Sequence, residues 1–166
     1  MWWAELSTPV GDLAVAVDDA GVCAVRFGRL PEGVTAAGPG VERLDDAVRQ
    51  LAEYACGERS TFDCRLSIVQ RSTAGRPTFD NRVWDALLGI PYGEMRTYGE
   101  IAALVGEPDA ARAVGVACNR NPIPVIIPCH RVVGAGGKLV GFGGGLPRKV
   151  ALLELEARVR VEQAFG

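Results

Sequence analysis

Cys129 and His130 stand side by side in the stretch NPIPVIIPCHRVVG, residues 121–134, and His130 is the only histidine of the 166-residue chain. A free thiol has a pKa of about 8.5, so only a minority is thiolate, the nucleophilic form, at neutral pH. A neighbouring imidazole can take the thiol proton or stabilise the anion. The pair therefore has the groups for nucleophilic chemistry, although a purely structural cysteine is the commoner explanation of a buried Cys-His dipeptide.

The spacing of the pair limits how the two side chains could cooperate. In an extended segment, adjacent side chains point to opposite faces, so either a water bridges them or the chain turns sharply after Pro128. The imidazole also needs a carboxylate that fixes its tautomer. Glu156 is the candidate, because at 100° per residue it falls between Leu152 and Leu153, inside the apolar stripe of the last helix. A boundary glutamate with its carboxylate in water is the alternative.

Two short helices are predicted ahead of this stretch, and their spacing favours a helix-turn-helix. The first follows TYGE at 97–100, a Thr-x-x-Glu capping box, and ends at Gly106. The second begins within EPDAARAVGVACN at 107–119, with Pro108 in its first turn. An ordinary helical hairpin is the alternative.

The second of these helices carries few side chains that could read a base sequence. Arg112 is the only long side chain of its first turn, and the other residues are mostly small: Ala110, Ala111, Ala113, Gly115 and Ala117. Such a surface can approach a DNA backbone closely and insert one side chain into a narrow groove, with little dependence on sequence. A solvated helix arginine is the alternative for Arg112.

Charge is distributed unevenly along the chain, although the net charge is only −2. No acid occurs between Asp109 and Glu154, whereas the same segment holds Arg112, Arg120, Arg131, Lys138, Arg148 and Lys149. A basic segment on a mildly acidic chain is typical of a phosphate-binding face, and a chance gap in acids is the alternative. We expect a cytoplasmic protein, because the sequence has no apolar run of bilayer length and no secretory leader. Its five cysteines are irregularly spaced, so we expect them to be reduced thiols.

The first half of the chain predicts a small α+β unit. A helix is predicted over 41–57 from its apolar spacing, and TFDCRLSIV at 61–69 is typical of a strand. Alternation and turn signals predict two or three earlier antiparallel strands, near 2–7, 12–17 and 21–27.

The second half is predicted to be mostly helical. TFDNRVWDALLGIPYG at 78–93 contains a helix that exits through its last five residues, and a final helix covers 146–163. QRSTAGRP at 70–77 is the candidate linker. We therefore expect an N-terminal α+β domain over 1–76 and a DNA-binding, chemistry-bearing domain over 77–166.

Taken together, these features resemble one known family. The motif IPCHRVVG, with NP and IP before it and a glycine-rich loop and RK…LLELE after it, is similar to that of the O6-alkylguanine-DNA alkyltransferases, also called methylated-DNA–protein-cysteine methyltransferases. The resemblance runs from about Phe79 to Glu156, and the first half matches in layout as an RNase-H-like unit. It implies direct-reversal DNA repair, in which a flipped O6-alkylguanine in duplex DNA gives its alkyl group irreversibly to the protein.

The resemblance also implies roles for individual residues. Cys129 would accept the alkyl group, His130 would be its base through a water, and Glu156 would orient His130. Asn121 would brace the active-site turn. The substrate pocket would include the main chain at Val132, with Lys149 near the substrate oxygen, and Pro124, Phe142 and Gly143. Phe142 stands where many members have tyrosine, so ring stacking is kept but one hydroxyl is absent.

On the DNA side, the resemblance assigns Arg112 to the gap left by the flipped nucleotide and Tyr98 to the phosphate that must rotate. The small residues Ala111, Ala113 and Gly115 would line the minor-groove surface. No cofactor and no metal is implied, a monomer is expected, and clustering on DNA is left open, as is O4-alkylthymine as a second lesion. Two other functions stay open: a lesion sensor without chemistry, and a Cys-His thiol enzyme acting on a small substrate.

Overall fold

The computed structural model describes three stretches of the chain, namely residues 1–38, 40–68 and 77–165. Within them, no helix is both long and apolar enough to cross a lipid bilayer. The chain divides into two compact units, 1–69 and 70–166. The predicted linker over 70–77 falls, apart from residue 77, outside the described residues, so a domain boundary at 76/77 stays a prediction.

The first unit is an antiparallel three-stranded sheet with one helix. Two or three strands were predicted, and three are present: β1 (Trp2–Thr8), β2 (Gly11–Val17) and β3 (Val22–Phe27), in the order β1-β2-β3. The central strand β2 is buried from residue 13 to 17, as expected for a strand that is paired on both edges and covered on a face. The predicted helix is α1 (Glu42–Ala55), which packs against this sheet.

The strand predicted over 61–69 is wrong for its described part. Leu66 makes only an isolated parallel bridge with Val22, and the rest of residues 61–68 is irregular. The Val22 N–H donates to the Arg65 carbonyl at 2.8 Å and the Ser67 N–H to the Val22 carbonyl at 2.7 Å, whereas the Asp63 N–H donates to the Gln50 side-chain oxygen at 3.1 Å. β-Propensity alone does not distinguish these two kinds of partner.

The second unit is mostly helical, as predicted. Its elements are α2 (Phe79–Leu87), β4 (Arg96–Thr97), α3 (Tyr98–Leu104), α4 (Ala111–Asn119), β5 (Val132–Val133) and α5 (Leu146–Phe165). The short strands β4 and β5 pair in parallel. The Trp84 indole N–H of α2 donates to the Ala117 carbonyl of α4 at 2.8 Å, which fixes these two helices to each other.

Helices α3 and α4 form the predicted helix-turn-helix arrangement and pack against each other. The capping box is present, since the side chains of Thr97 and Glu100 each accept a main-chain hydrogen bond at the start of α3. The prediction that Pro108 lies in the first turn of α4 is wrong, because that helix begins at Ala111. The Ala110 N–H instead donates to the Glu107 carbonyl at 2.9 Å and closes a turn ahead of the helix.

Candidate active site

Asn121 braces the turn that leads to Cys129. Its side-chain nitrogen donates to the Ile127 carbonyl at 2.8 Å, and its side-chain oxygen accepts the Ile123 N–H at 2.9 Å. One side chain thus holds both ends of the proline-containing run, and an aspartate could not supply the N–H donor. The geometry fits the bracing role that the resemblance implies for Asn121.

The backbone conformation at Val125 indicates that the run between Asn121 and Cys129 is rigid. The φ of Val125 is +75°, in the left-handed region that β-branched residues rarely adopt. Such strain costs about 1–3 kcal/mol and persists only where the surroundings determine the conformation. Here Ile123 and Ile127 are fully buried on either side, and the Ile127 N–H donates to the Ile123 carbonyl at 2.9 Å.

Cys129 lies in a 3₁₀ turn, Cys129–Arg131, directly after Pro128. The segment is therefore not extended at this point, and the chain does turn directly after Pro128. A water between the two side chains stays a prediction. Cys129 is 5% exposed. Burial raises the pKa of its thiol, while a hydrogen bond from Asn121 and the charge of Lys149 act to lower that pKa.

His130 and Glu156 form a buried pair, which confirms that Glu156 has a partner within the protein. His130 Nε2 lies 2.6 Å from Glu156 Oε2, and both side chains are at most 1% exposed. Burial lowers the pKa of His130 even though Glu156 acts to raise it. Burial opposes ionisation of Glu156 too, but His130 and Arg131 outweigh it and lower the pKa of Glu156 to about 2. At neutral pH the pair is an uncharged imidazole beside a carboxylate.

Arg131 is a member of this cluster that the sequence analysis missed. Its Nε donates to Glu156 Oε1 at 2.8 Å, its Nη2 to Oε2 at 3.0 Å, and its Nη1 to the Ile90 carbonyl at 2.7 Å. The Gly93 N–H also donates to Glu156 Oε1, at 2.9 Å. The only sequence signal was indirect: a buried glutamate next to a neutral imidazole still needs a compensating charge.

A groove of about 420 Å³ runs along α4. Its lining residues are Tyr98, Ala111, Arg112, Gly115, Val116, Asn119, Val140 and Gly141, and none of them is acidic. Four predicted DNA-binding residues therefore lie together, whereas Ala113 is exposed outside the lining. Val116 and Asn119 were missed, although positions 112, 115, 116 and 119 follow the helical spacing of a single face.

The Val140 carbonyl ties the glycine-rich loop to its surroundings. It accepts the Tyr98 hydroxyl at 3.2 Å and Lys149 Nζ at 3.2 Å, and the same ammonium donates to the Val132 carbonyl at 2.6 Å. The glycine-rich loop is therefore anchored at this carbonyl. Burial raises the pKa of the Tyr98 hydroxyl to about 12.

The remaining residues of the predicted pocket are placed around this loop. Val132 is fully buried, Phe142 is half-buried, and a Cβ at Gly143 would lie 3.8 Å from the Asn119 carbonyl. Pro124 is half-buried and forms an isolated bridge with Ile127. Lys149 is fully buried on two main-chain carbonyls, so its approach to a substrate oxygen stays a prediction.

The predicted basic face is smaller than the sequence suggested. Arg131 and Lys149 are buried and bonded inward, so they cannot bind phosphate as placed. Arg120 is exposed but lies 3.4 Å from the Asp80 carboxylate. Arg112 and Lys138 are exposed, and they carry most of the remaining positive charge.

Acid is expected to destabilise this unit in two steps. The folded pKa of His130 lies below its ordinary value of about 6.5, so the unfolded chain binds that proton first and stability falls as the pH drops below about 6.5. Glu156 has a folded pKa of about 2 against an ordinary value of about 4.3, so a second loss follows as the pH falls through that interval. Urea unfolding midpoints between pH 7 and pH 3 measure both losses. A midpoint that stays constant from pH 6.5 to pH 5 would contradict the first.

Both units match models for domains of one protein class. Residues 1–68 match the 6-O-methylguanine DNA methyltransferase ribonuclease-like domain, and residues 78–158 match the DNA-binding domain of the same class. This confirms the predicted fold class, an α+β chain with a ribonuclease-like unit before a helical DNA-binding one.

Individual relatives agree with these models. The methylated-DNA–protein-cysteine methyltransferase of Methanosarcina acetivorans is 44% identical over 159 residues, which cover 94% of this chain and 98% of that protein. That of Mycobacterium leprae is 53% identical over 131 residues, covering 79% and 71%. The crystal structure of Mycobacterium tuberculosis OGT in complex with DNA superposes with a TM-score of 0.82 at 44% identity, covering 96% and 94%. The chain belongs to the methylated-DNA–protein-cysteine methyltransferase family.

Proposed function

We propose that this chain repairs alkylated DNA by direct reversal, moving the alkyl group of an O6-alkylguanine in duplex DNA onto Cys129 in one irreversible turnover. The observation that carries the proposal is the buried turn of Cys129 and His130, whose imidazole pairs with Glu156, in the same unit as a helix-turn-helix groove without acids. Family membership supports the reaction class. O4-alkylthymine is a second candidate lesion.

The transfer step needs a neutral imidazole beside the thiol. An ionised carboxylate only accepts hydrogen bonds, so His130 Nε2 donates to Glu156 and Nδ1 carries the lone pair of the neutral ring. The Cys129 proton moves to that nitrogen, directly or through a water. Sulfur then bonds to the alkyl carbon while the bond from carbon to O6 breaks, and guanine leaves with the electron pair and takes up a proton. Water does not readily cleave the resulting thioether, so each molecule acts once.

The groove along α4 would deliver the lesion to this site. A base within the duplex must leave the stack, at a cost of a few kcal/mol. Arg112 is exposed in the first turn of α4 and could fill the gap, offsetting part of that cost. The helix start has no side-chain cap and no acid in its first turn, so its N–H groups and its dipole favour a DNA phosphate.

Intact-protein mass after incubation with a duplex containing O6-methylguanine tests the proposal. The expected result is one added methyl group, mapped to Cys129 by peptide analysis, with no further gain on longer incubation. Binding of that duplex without a change in mass would indicate a lesion sensor instead. Neither binding nor a mass change would favour a thiol enzyme acting on a small substrate.

Arg112→Ala separates delivery of the base from the chemistry. We expect transfer from duplex DNA to slow by about tenfold or more, because tenfold corresponds to about 1.4 kcal/mol of the unstacking cost that Arg112 offsets. Reaction with free O6-alkylguanine base needs no unstacking and is expected to keep its rate. Single-turnover rates on both substrates give the comparison, with Arg158→Ala, an exposed change on α5, as the control. Equal losses on duplex and free base would argue against this role for Arg112.

We place the reaction in the cytoplasm and in a monomer, as the sequence predicts. The five cysteines are all free thiols, which suits a reducing compartment. The proposed transfer needs only one chain, since the thiol, the imidazole and the groove belong to one unit. Clustering of several copies on DNA stays open.

A further inference from the structure

Arg131 is held entirely within the protein, although its position in the basic segment suggested a phosphate contact. It is 6% exposed, and its guanidinium donates to both oxygens of Glu156 and to the Ile90 carbonyl. The guanidinium carbon also lies 5.5 Å from the centroid of the Tyr92 ring. A bidentate arginine that is fixed in this way supplies a positive charge at one defined place.

The position of the Arg131 guanidinium determines the electrostatic environment of the His130 imidazole. A lone ionised Glu156 at 2.6 Å from Nε2 would favour the protonated imidazolium, since an opposite charge at that distance stabilises the charged form. Arg131 cancels this effect by pairing with the same carboxylate. The three groups together carry no net charge when the imidazole is neutral and one positive charge when it is protonated. Burial without water favours the uncharged cluster.

We propose that Arg131 is a positioning residue for alkyl transfer: by holding both oxygens of Glu156, it keeps His130 neutral and its Nε2 turned to that carboxylate. His130 is then ready to accept the Cys129 proton. The catalytic half of this inference rests on the proposed function. The electrostatic half rests only on the geometry of the three side chains.

Other charged groups around His130 act beside Arg131 and set the size of its effect. From α5, Lys149 adds a positive charge that also lowers the pKa of His130, while Glu156 raises it. The Cys129 thiol precedes His130 in the same turn, and Tyr92, whose pKa burial raises to about 12, contacts Arg131 from the segment after α2. Lys149 stays in place when Arg131 is replaced, so the pKa of His130 is expected to regain only part of the difference from its ordinary value.

His130 is the only histidine of the chain, so imidazole NMR of labelled protein reports on one group. In Arg131→Met we expect the pKa of His130 to rise by about one unit or more. Arg131→Lys keeps the charge and is expected to restore most of the wild-type value. Arg158→Lys, an exposed arginine paired with Glu162 on α5, is the matched control and should leave the titration unchanged. Equal titration of His130 in the wild type and in a folded Arg131→Met protein overturns the proposal.

The wild-type spectrum keeps the proposal testable if Arg131→Met does not fold. At pH 7 the ring is expected to be neutral with its proton on Nε2, and an imidazolium signal would overturn the inference. Arg131→Lys then gives the second comparison, because an ammonium lacks the planar fork of N–H groups that holds both carboxylate oxygens of Glu156. It should keep the ring neutral while weakening the Nε2 tautomer signature.

Single-turnover transfer at a series of pH values tests the catalytic half. In Arg131→Met, the acid limb of the curve of transfer rate against pH is expected to move to higher pH. The shift should equal the increase in the pKa of His130 that NMR measures. An NMR shift without a matching shift of the acid limb would overturn the positioning role. Failure of the wild-type protein to transfer any alkyl group would instead defeat the proposed function, and the NMR comparison would still decide the electrostatic half.

Discussion

Cys129→Ser is expected to abolish alkyl transfer completely while leaving binding to lesion-containing duplex intact. Serine is close to cysteine in size, so the turn after Pro128 and the bond network of Asn121 should persist. Its hydroxyl, however, is a far weaker nucleophile than a thiolate, and a neutral imidazole cannot make up that difference. Intact mass gives the transfer result, and gel shift with an O6-methylguanine duplex gives the binding result.

Cys56→Ser is the matched control, because Cys56 is an exposed thiol in the other unit. It should transfer one alkyl group as the wild type does. Full transfer by Cys129→Ser would remove Cys129 from the acceptor role and require a search among the remaining four thiols. Loss of DNA binding together with transfer would point to misfolding of the turn, which circular dichroism would detect.

Glu156→Gln is expected to have the second largest effect and to act on folding as well as on transfer. Glutamine leaves the guanidinium of Arg131 buried without its carboxylate, and breaking one side of a buried ion pair costs about 3–5 kcal/mol. It also leaves one acceptor oxygen in place of the two that His130 and Arg131 share, so the orientation of His130 is weakened. We therefore expect a much lower urea midpoint with an unchanged slope, and transfer at or below the detection limit.

Glu154→Gln provides the comparison on the same helix, since Glu154 is exposed two residues away. A surface change of this kind shifts stability by no more than about 0.5 kcal/mol. Similar midpoints for the two variants would contradict the structural importance of Glu156. A stable Glu156→Gln protein that transfers normally would show that His130 needs no carboxylate partner.

Residue types and helical spacing predicted a large part of the candidate site. The apolar stripe of the last helix located Glu156 as a buried carboxylate, and the small residues around Arg112 located the groove helix. Strand alternation predicted β1, β2 and β3 correctly. In each case the information lies in one element and repeats with its period.

The features that were missed depend on contacts between distant segments. Arg131 bonds to a carboxylate 25 residues further along the chain, a partner that its sequence neighbours do not reveal. The Val140 carbonyl accepts hydrogen bonds from both Tyr98 and Lys149, and the role of a main-chain group cannot be predicted from the residue type. The segment at 61–68 has strand composition, but it pairs with β3 only at Leu66, and its Asp63 N–H bonds to the Gln50 side chain.

The near-complete burial of Cys129 also bears on how long an unused molecule stays useful. Each molecule of a repair protein that reacts once can act only while its thiol is intact. Reaction of that thiol with an oxidant or a small electrophile therefore lowers the number of active molecules. A cysteine that is 5% exposed with a raised pKa is protected from such reagents, whereas Cys56 meets solvent directly. In the proposed reaction, the run of prolines and isoleucines that places Cys129 would therefore also preserve its thiol until a damaged base arrives.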